Sequence, residues 1–166
     1  VGVMPECHDA AKTVANVART VERARAAQVP VIWVQHESDE LKRDSDAWQW
    51  VPELVPAAGE VRIYKQFNSA FEQTDAGDVL ARLGATHIVL AGARSNWCIR
   101  ASAYGALERG YDLTLVKDAH TTSDLDLGNG TTIDAATIMR DLNVTMKWLA
   151  YPGLRNGVAA ADEVVF

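Results

Sequence analysis

Ala91-Gly92-Ala93-Arg94-Ser95-Asn96-Trp97-Cys98-Ile99-Arg100 stands between the apolar run His87-Ile88-Val89-Leu90 and the amphipathic segment Ala101 to Arg109. The order is strand, tight turn, cysteine, helix. A cysteine in the first turn of a helix lies among unpaired backbone N–H groups at the positive end of the helix dipole, and both favour thiolate over thiol. The same N–H groups are donors for the oxyanion that forms when a thiolate attacks a carbonyl. On residue type alone Cys98 also reads as one more buried small hydrophobe. Lys65 weighs against that, because it ends an earlier apolar run, Val61-Arg62-Ile63-Tyr64. Two parallel strands ending side by side bring its ammonium and the Cys98 sulfur to one carboxyl edge, where open α/β sheets bind ligands.

Outward from this turn the chain alternates between two periods. Ala11, Val14, Val17, Ala18, Val21 and Ala24 recur at three and four and predict an amphipathic helix over Ala10 to Gln28, with Asp9 at its N-cap. Val31-Ile32-Trp33-Val34 is continuously apolar, as in a strand buried on both faces, and leads to Gln35 and His36. Glu37 to Asp46 is a polar loop expected to rim the site, either as solvated surface or as a selector for a cationic substrate. Of Trp48 and Trp50 beyond it, one is expected in the core and the other along a pocket. Thr74 or Asp75 caps a helix that ends at Gly84. After Gly110, Tyr111 to Val116 predicts a strand running into Lys117-Asp118-Ala119-His120, and Thr121 to Gly130 reads as a flexible loop or lid. A helix is expected from Thr132 to Leu142, neither period dominates Val144 to Tyr151, and Asp162 to Phe166 reads as a short terminal strand or a subunit-contact tail. Strands alternating with helices predict right-handed βαβ units: one three-layer α/β/α domain over residues 1–166, doubly wound about a mainly parallel sheet.

Composition narrows the function classes. Sixteen Lys and Arg scattered among 22 Asp and Glu give a net charge of −6, which argues against a nucleic-acid groove or an anionic membrane as partner. Cys7 and Cys98 form no zinc or disulfide pattern, and no apolar run approaches the roughly 18 residues of a membrane span, so a cytoplasmic protein is expected. No Gly-x-Gly-x-x-Gly turn or P-loop follows any strand, which ranks a nucleotide-binding protein low.

These motifs, in their order along the chain, resemble the isochorismatase-like cysteine hydrolases, with the streptothricin-hydrolase-type branch nearest in flavour. The likeness rests on Val31 to His36, Trp48-Gln49, Glu53-Leu54, Lys65 with Asn68-Ser69-Ala70-Phe71, the Cys98 turn, Gly110-Tyr111, Asp118-Ala119-His120-Thr121-Thr122 and Tyr151-Pro152-Gly153. It implies a metal-independent hydrolase, without cofactor, that cleaves a C–N amide, lactam or carbamoyl bond of a small molecule through a thioester on Cys98. Lys65 is implied to support the charge balance. The oxyanion donors are implied to be the backbone N–H groups of Arg94 and Cys98, with a cis peptide between Ala93 and Arg94. His36, Trp48, Phe71, Trp97 and His120 are the substrate-pocket candidates. A histidine-rich metal site, as in the nicotinamidase branch, is not expected, since only His36 occupies the corresponding loop. The resemblance also implies a homo-oligomer, dimer or tetramer. Members of the family begin with a central strand ending in Asp-x-Gln, whose Asp completes the catalytic set; that strand is absent from this sequence and would lie just upstream of Val1-Gly2-Val3. An impaired relative that serves as a binding or assembly module is the competing expectation.

Overall fold

A computed structural model describes residues 4–166; the reading of Val1-Gly2-Val3 as a family turn lies outside the described residues. In chain order the elements are α1 (Ala10–Ala26), β1 (Ile32–His36), β2 (Val61–Lys65), α2 (Ala76–Arg82), β3 (His87–Ala93), α3 (Arg100–Leu107), β4 (Asp112–Thr121), β5 (Leu125–Asp126), β6 (Thr132–Ile133), α4 (Ala135–Trp148) and β7 (Asn156–Ala159). A single π-helical turn, Ser95–Ile99, joins β3 to α3. Helices cover parallel strands on both sides, which is the three-layer α/β/α arrangement.

Strand periodicity of two explains the layering. On β3 and β4, Ile88, Leu90, Leu113 and Leu115 turn to a core shared with Ala103, Leu107, Leu142 and Met146 of α3 and α4. Val89, Ala91, Val116 and Ala119 turn the other way, to Val17 of α1 and to Ala161 and Val164. A third cluster packs Val79 of α2 on Ile63, with Ile32 and Val34 alongside. Continuous apolar runs are what two covered faces require.

Hydrogen bonding divides the strands into two parallel ladders, β1–β2 and β3–β4–β7, with β5–β6 a small antiparallel hairpin. Among the described residues β1 pairs only with β2 and β3 only with β4, so the single parallel sheet expected is not closed by hydrogen bonds. Side chains at the carboxyl ends bridge the ladders: Ser102 Oγ accepts from the Ala70 N–H at 2.9 Å, and Phe71 packs on α3 at Gly105. A Cβ at Gly105 would sit 3.0 Å from both the Phe71 ring and the Ser69 hydroxyl, so a side chain there would press both aside by a few tenths of an ångström. Glu60, just before β2, accepts from Arg25 of α1 and from the Trp33 indole of β1. Arg25 is the main cause that pulls its carboxyl down to about 2.

Several sequence expectations are corrected. Asp9 precedes α1 but has φ +47° and makes no capping bond, whereas Asp134 accepts from the Thr137 N–H at 2.8 Å and caps α4. The stretch 121–130 carries β5 instead of forming one open loop. α4 continues past Leu142 to Trp148, with Met146 extending the buried line of Ile138 and Leu142; exposed Val144 and Trp148 on its outer side had hidden the period. The last strand is β7, while residues 162–166 form a tail whose Val164 is buried and whose carbonyl accepts from Arg23 at 2.7 Å.

Candidate active site

Parallel pairing sets His36 opposite Lys65 at the carboxyl ends of β1 and β2. Lys65 is only 5% exposed, and a buried ammonium needs partners for all three of its N–H bonds. It has three: the Phe67 carbonyl at 2.8 Å, the Cys98 sulfur at 3.1 Å and His36 Nδ1 at 3.3 Å. An ammonium offers no acceptor, so His36 must present a bare Nδ1, the neutral Nε2–H tautomer. Burial first, and the Lys65 charge second, push the His36 imidazole below its ordinary value.

Cys98 lies in the π-helical turn, not in the first turn of a regular helix as the sequence reading had it. The wide bond that makes the turn runs from the Ile99 N–H to the Arg94 carbonyl at 3.1 Å, and π-turns of this kind recur at functional sites. The turn is entered through Gly92, at φ +127°, and a cis Ala93–Arg94 peptide. Three side chains of the turn are tied to residues at and just beyond the end of β4. Arg94 donates to Ser123 Oγ at 2.6 Å and reaches Glu6 at 3.0 Å. Ser95 Oγ meets His120 Nδ1 at 2.7 Å, and the Thr122 hydroxyl donates to Asn96 Oδ1 at 2.6 Å.

The isochorismatase-domain family model matches residues 1–139 of this chain. The chain belongs to the isochorismatase family. This isochorismatase-family chain is 31% identical over 113 residues to streptothricin hydrolase of Streptomyces noursei, covering 66% of this chain and 45% of the relative. It is 40% identical over 65 residues to maleamate amidohydrolase of Pseudomonas putida, covering 39% of this chain and 30% of the relative. It therefore spans less than half the length of either curated relative. Among solved structures, an isochorismatase from Pseudomonas putida KT2440 superposes with a TM-score of 0.83 at 29% identity, over 93% of this chain and 78% of the other.

Within the isochorismatase fold, the pocket candidates separate into two groups. His36 touches Lys65, and Trp97, beside Cys98, is 48% exposed. Trp48 lies off the Lys65–Cys98 contact, its ring 5.6 Å from that of Tyr64 and its indole nitrogen buried without a partner among the described residues. Trp50 packs edge-on against Trp33, and neither Trp48 nor Trp50 is fully buried, so the expected division into one core and one pocket tryptophan does not hold. Phe71 stacks with Tyr111 and packs, partly buried, against the core at Gly105. His120 is fully buried and meets the turn through Ser95, so it does not line an open pocket.

A cavity of about 260 Å³ is lined by Glu37, Arg43, Tyr64, Gln66, Phe67 and Gln73, the chain neighbours of Lys65 among them. Glu37 and Arg43 form an ion pair across it, and the Arg43 guanidinium lies 4.1 Å from the centre of the Tyr64 ring. This brings two residues of the acidic loop to the site's rim. Sequence reasoning missed Arg43, Tyr64 and Phe67, although Tyr64 precedes Lys65 directly and Phe67 follows it by two. Among the described residues no group of three or more His, Cys, Asp or Glu is placed to hold a metal ion, and no helix is long and apolar enough to cross a membrane.

Proposed function

We propose that this isochorismatase-family chain is a cysteine hydrolase of a small-molecule C–N bond: an amide, a lactam or a carbamoyl group. The observation that carries the reading is the 3.1 Å contact between the buried Lys65 ammonium and the Cys98 sulfur. A fixed positive charge at that distance favours a thiolate, the form that attacks carbonyl carbon. The relatives named as a streptothricin hydrolase and a maleamate amidohydrolase point to the same class of bond.

In this reading the Cys98 sulfur bonds to the carbonyl carbon and the carbonyl electrons move to oxygen. Collapse of that adduct breaks the C–N bond; the nitrogen leaves with a proton and a thioester remains on Cys98. Water then cleaves the thioester, returning the thiolate and releasing the acid. The proton that the leaving nitrogen takes is the one the Cys98 thiol gives up in becoming a thiolate. The backbone N–H groups of Arg94 and Cys98 are assigned to the oxyanion, and Trp97 and the cavity beside Tyr64 and Phe67 to holding the rest of the substrate. The reading gives no metal a role, and His36 serves in it as an acceptor for Lys65.

The test is release of ammonia or amine from a panel of primary amides, lactams and N-carbamoyl compounds, with intact-mass detection of an acyl adduct on Cys98. Turnover is expected to vanish in Cys98→Ala and to fall about 100-fold or more in Lys65→Met, the usual loss for a charge-stabilising group. It is expected to survive exhaustive chelation. Turnover unchanged in Cys98→Ala would remove the nucleophile assignment.

A further inference from the structure

Ser95 and His120 are both 0% exposed, and their side chains face one another inside the protein. The direction of each hydrogen bond follows from the far end of the chain of contacts. The Asn143 amide nitrogen donates to the Lys117 carbonyl at 3.0 Å, which leaves Asn143 Oδ1 as the atom that faces His120 Nε2, also at 3.0 Å. An amide oxygen only accepts, so His120 Nε2 carries the hydrogen. A neutral imidazole has one N–H, hence Nδ1 is bare and accepts the Ser95 hydroxyl. Burial pushes the His120 imidazole below its ordinary value, in keeping with that neutral form.

The position of His120 is itself arranged by the backbone. Leu90 of β3 pairs with Leu115, but Gly92 pairs with His120, so β4 bulges between these two points. Bulges re-aim side chains, and this one delivers the imidazole to the start of the Cys98 turn. The other two ties, Arg94 to Ser123 and Asn96 to Thr122, involve partly exposed residues on the turn, which water can also satisfy. The Ser95 hydroxyl has no such alternative.

We propose that His120 is a positioning residue: by accepting the Ser95 hydroxyl at Nδ1 it holds residues 94–98 in the geometry that acyl transfer to Cys98 needs. The proposal rests on the reading of Cys98 as the nucleophile. It separates two variants that a merely structural role would not. His120→Asn places an amide oxygen near the Nδ1 position and keeps an acceptor for Ser95, while losing the Asn143 contact. His120→Gln places a donor near the Nε2 position and keeps the Asn143 contact, while losing the acceptor. Each breaks one end of the chain, so both lower thermal stability.

Three measurements on the full chain decide the matter. With p-nitrophenyl acetate, the sulfur bonds to the acetyl carbon and p-nitrophenolate leaves; the burst rate is expected to fall about 100-fold in His120→Gln, as for a reacting group displaced by an ångström, and to stay near wild type in His120→Asn. Alkylation of Cys98 by iodoacetamide, which develops no oxyanion, is expected near wild type in both. Hydrogen exchange of the amides of residues 94–99 is expected to quicken in His120→Gln alone. Equal burst rates and equal exchange in the two variants would overturn the positioning role. Absence of any burst in wild type would instead overturn the hydrolase reading, and the exchange comparison would still decide the role of His120.

Discussion

His36 ends β1 and His120 is the last residue but one of β4, and each accepts a hydrogen bond at Nδ1, yet the two do different work. His36 is half-buried at the edge of the cleft and takes the third hydrogen of the Lys65 ammonium. His120 is sealed, and joins Ser95 of the Cys98 turn to Asn143 of α4. One belongs to the electrostatics of the sulfur and the other to the shape of the loop that carries it. The difference comes from the depth of burial and the partner at Nδ1, neither of which residue type fixes.

The comparison is most exposed to a pair of leucine substitutions. His120→Leu strands the Ser95 hydroxyl inside the protein while partly exposed Asn143 can turn to water, and at about 1–3 kcal/mol for an orphaned buried group the loss is expected near about 2 kcal/mol in urea unfolding. His36→Leu takes one of three partners from the buried Lys65 ammonium, but His36 is itself half-exposed, so water can enter the vacated place and the loss is expected nearer about 1 kcal/mol. Equal losses would mean that the two sites do not differ in kind. Acid sharpens the same contrast. Both imidazoles are depressed below the ordinary 6.5, so on acidification the unfolded chain takes up protons that the folded chain refuses. Stability is therefore expected to decline as pH falls from 6.5, and the slope should shrink in His120→Gln and in His36→Gln. Below 4.5 a further loss is expected from Glu60, whose carboxyl is held at about 2 when folded; Glu60→Gln would remove it. The smallest effect is reserved for Trp97→Ala. With 48% of the residue exposed, stability should move by less than about 0.5 kcal/mol, while KM for any amide found changes.

Much of this could be read from residues in order. The apolar runs at Ile32, Val61, His87 and Leu113 became strands because two covered faces need such runs, and Lys65 and Cys98 met because β2 and β3, though in separate ladders, bring their carboxyl ends together. The contacts of His120 were not legible. Ser95 is 25 residues away from it and Asn143 is 23, and a hydrogen bond between elements leaves no period in a sequence. Phe71 failed for a related reason: an aromatic after a strand suggests a pocket wall, and only the gap at Gly105 shows that the ring fits the core instead. The division into two ladders was equally invisible, since an apolar strand reads the same whether one of its edges is paired or both.

The bulge in β4 makes the length of one short interval matter. Side chains alternate from face to face along a strand, so deleting or inserting a single residue between Leu115 and His120 would swing the imidazole to the opposite side of the sheet. A few residues on, the exposed turn through Gly128 and Gly130 has room for extra chain. A scan of single-residue insertions and deletions would find a ruler from 116 to 119 and, close behind it, slack.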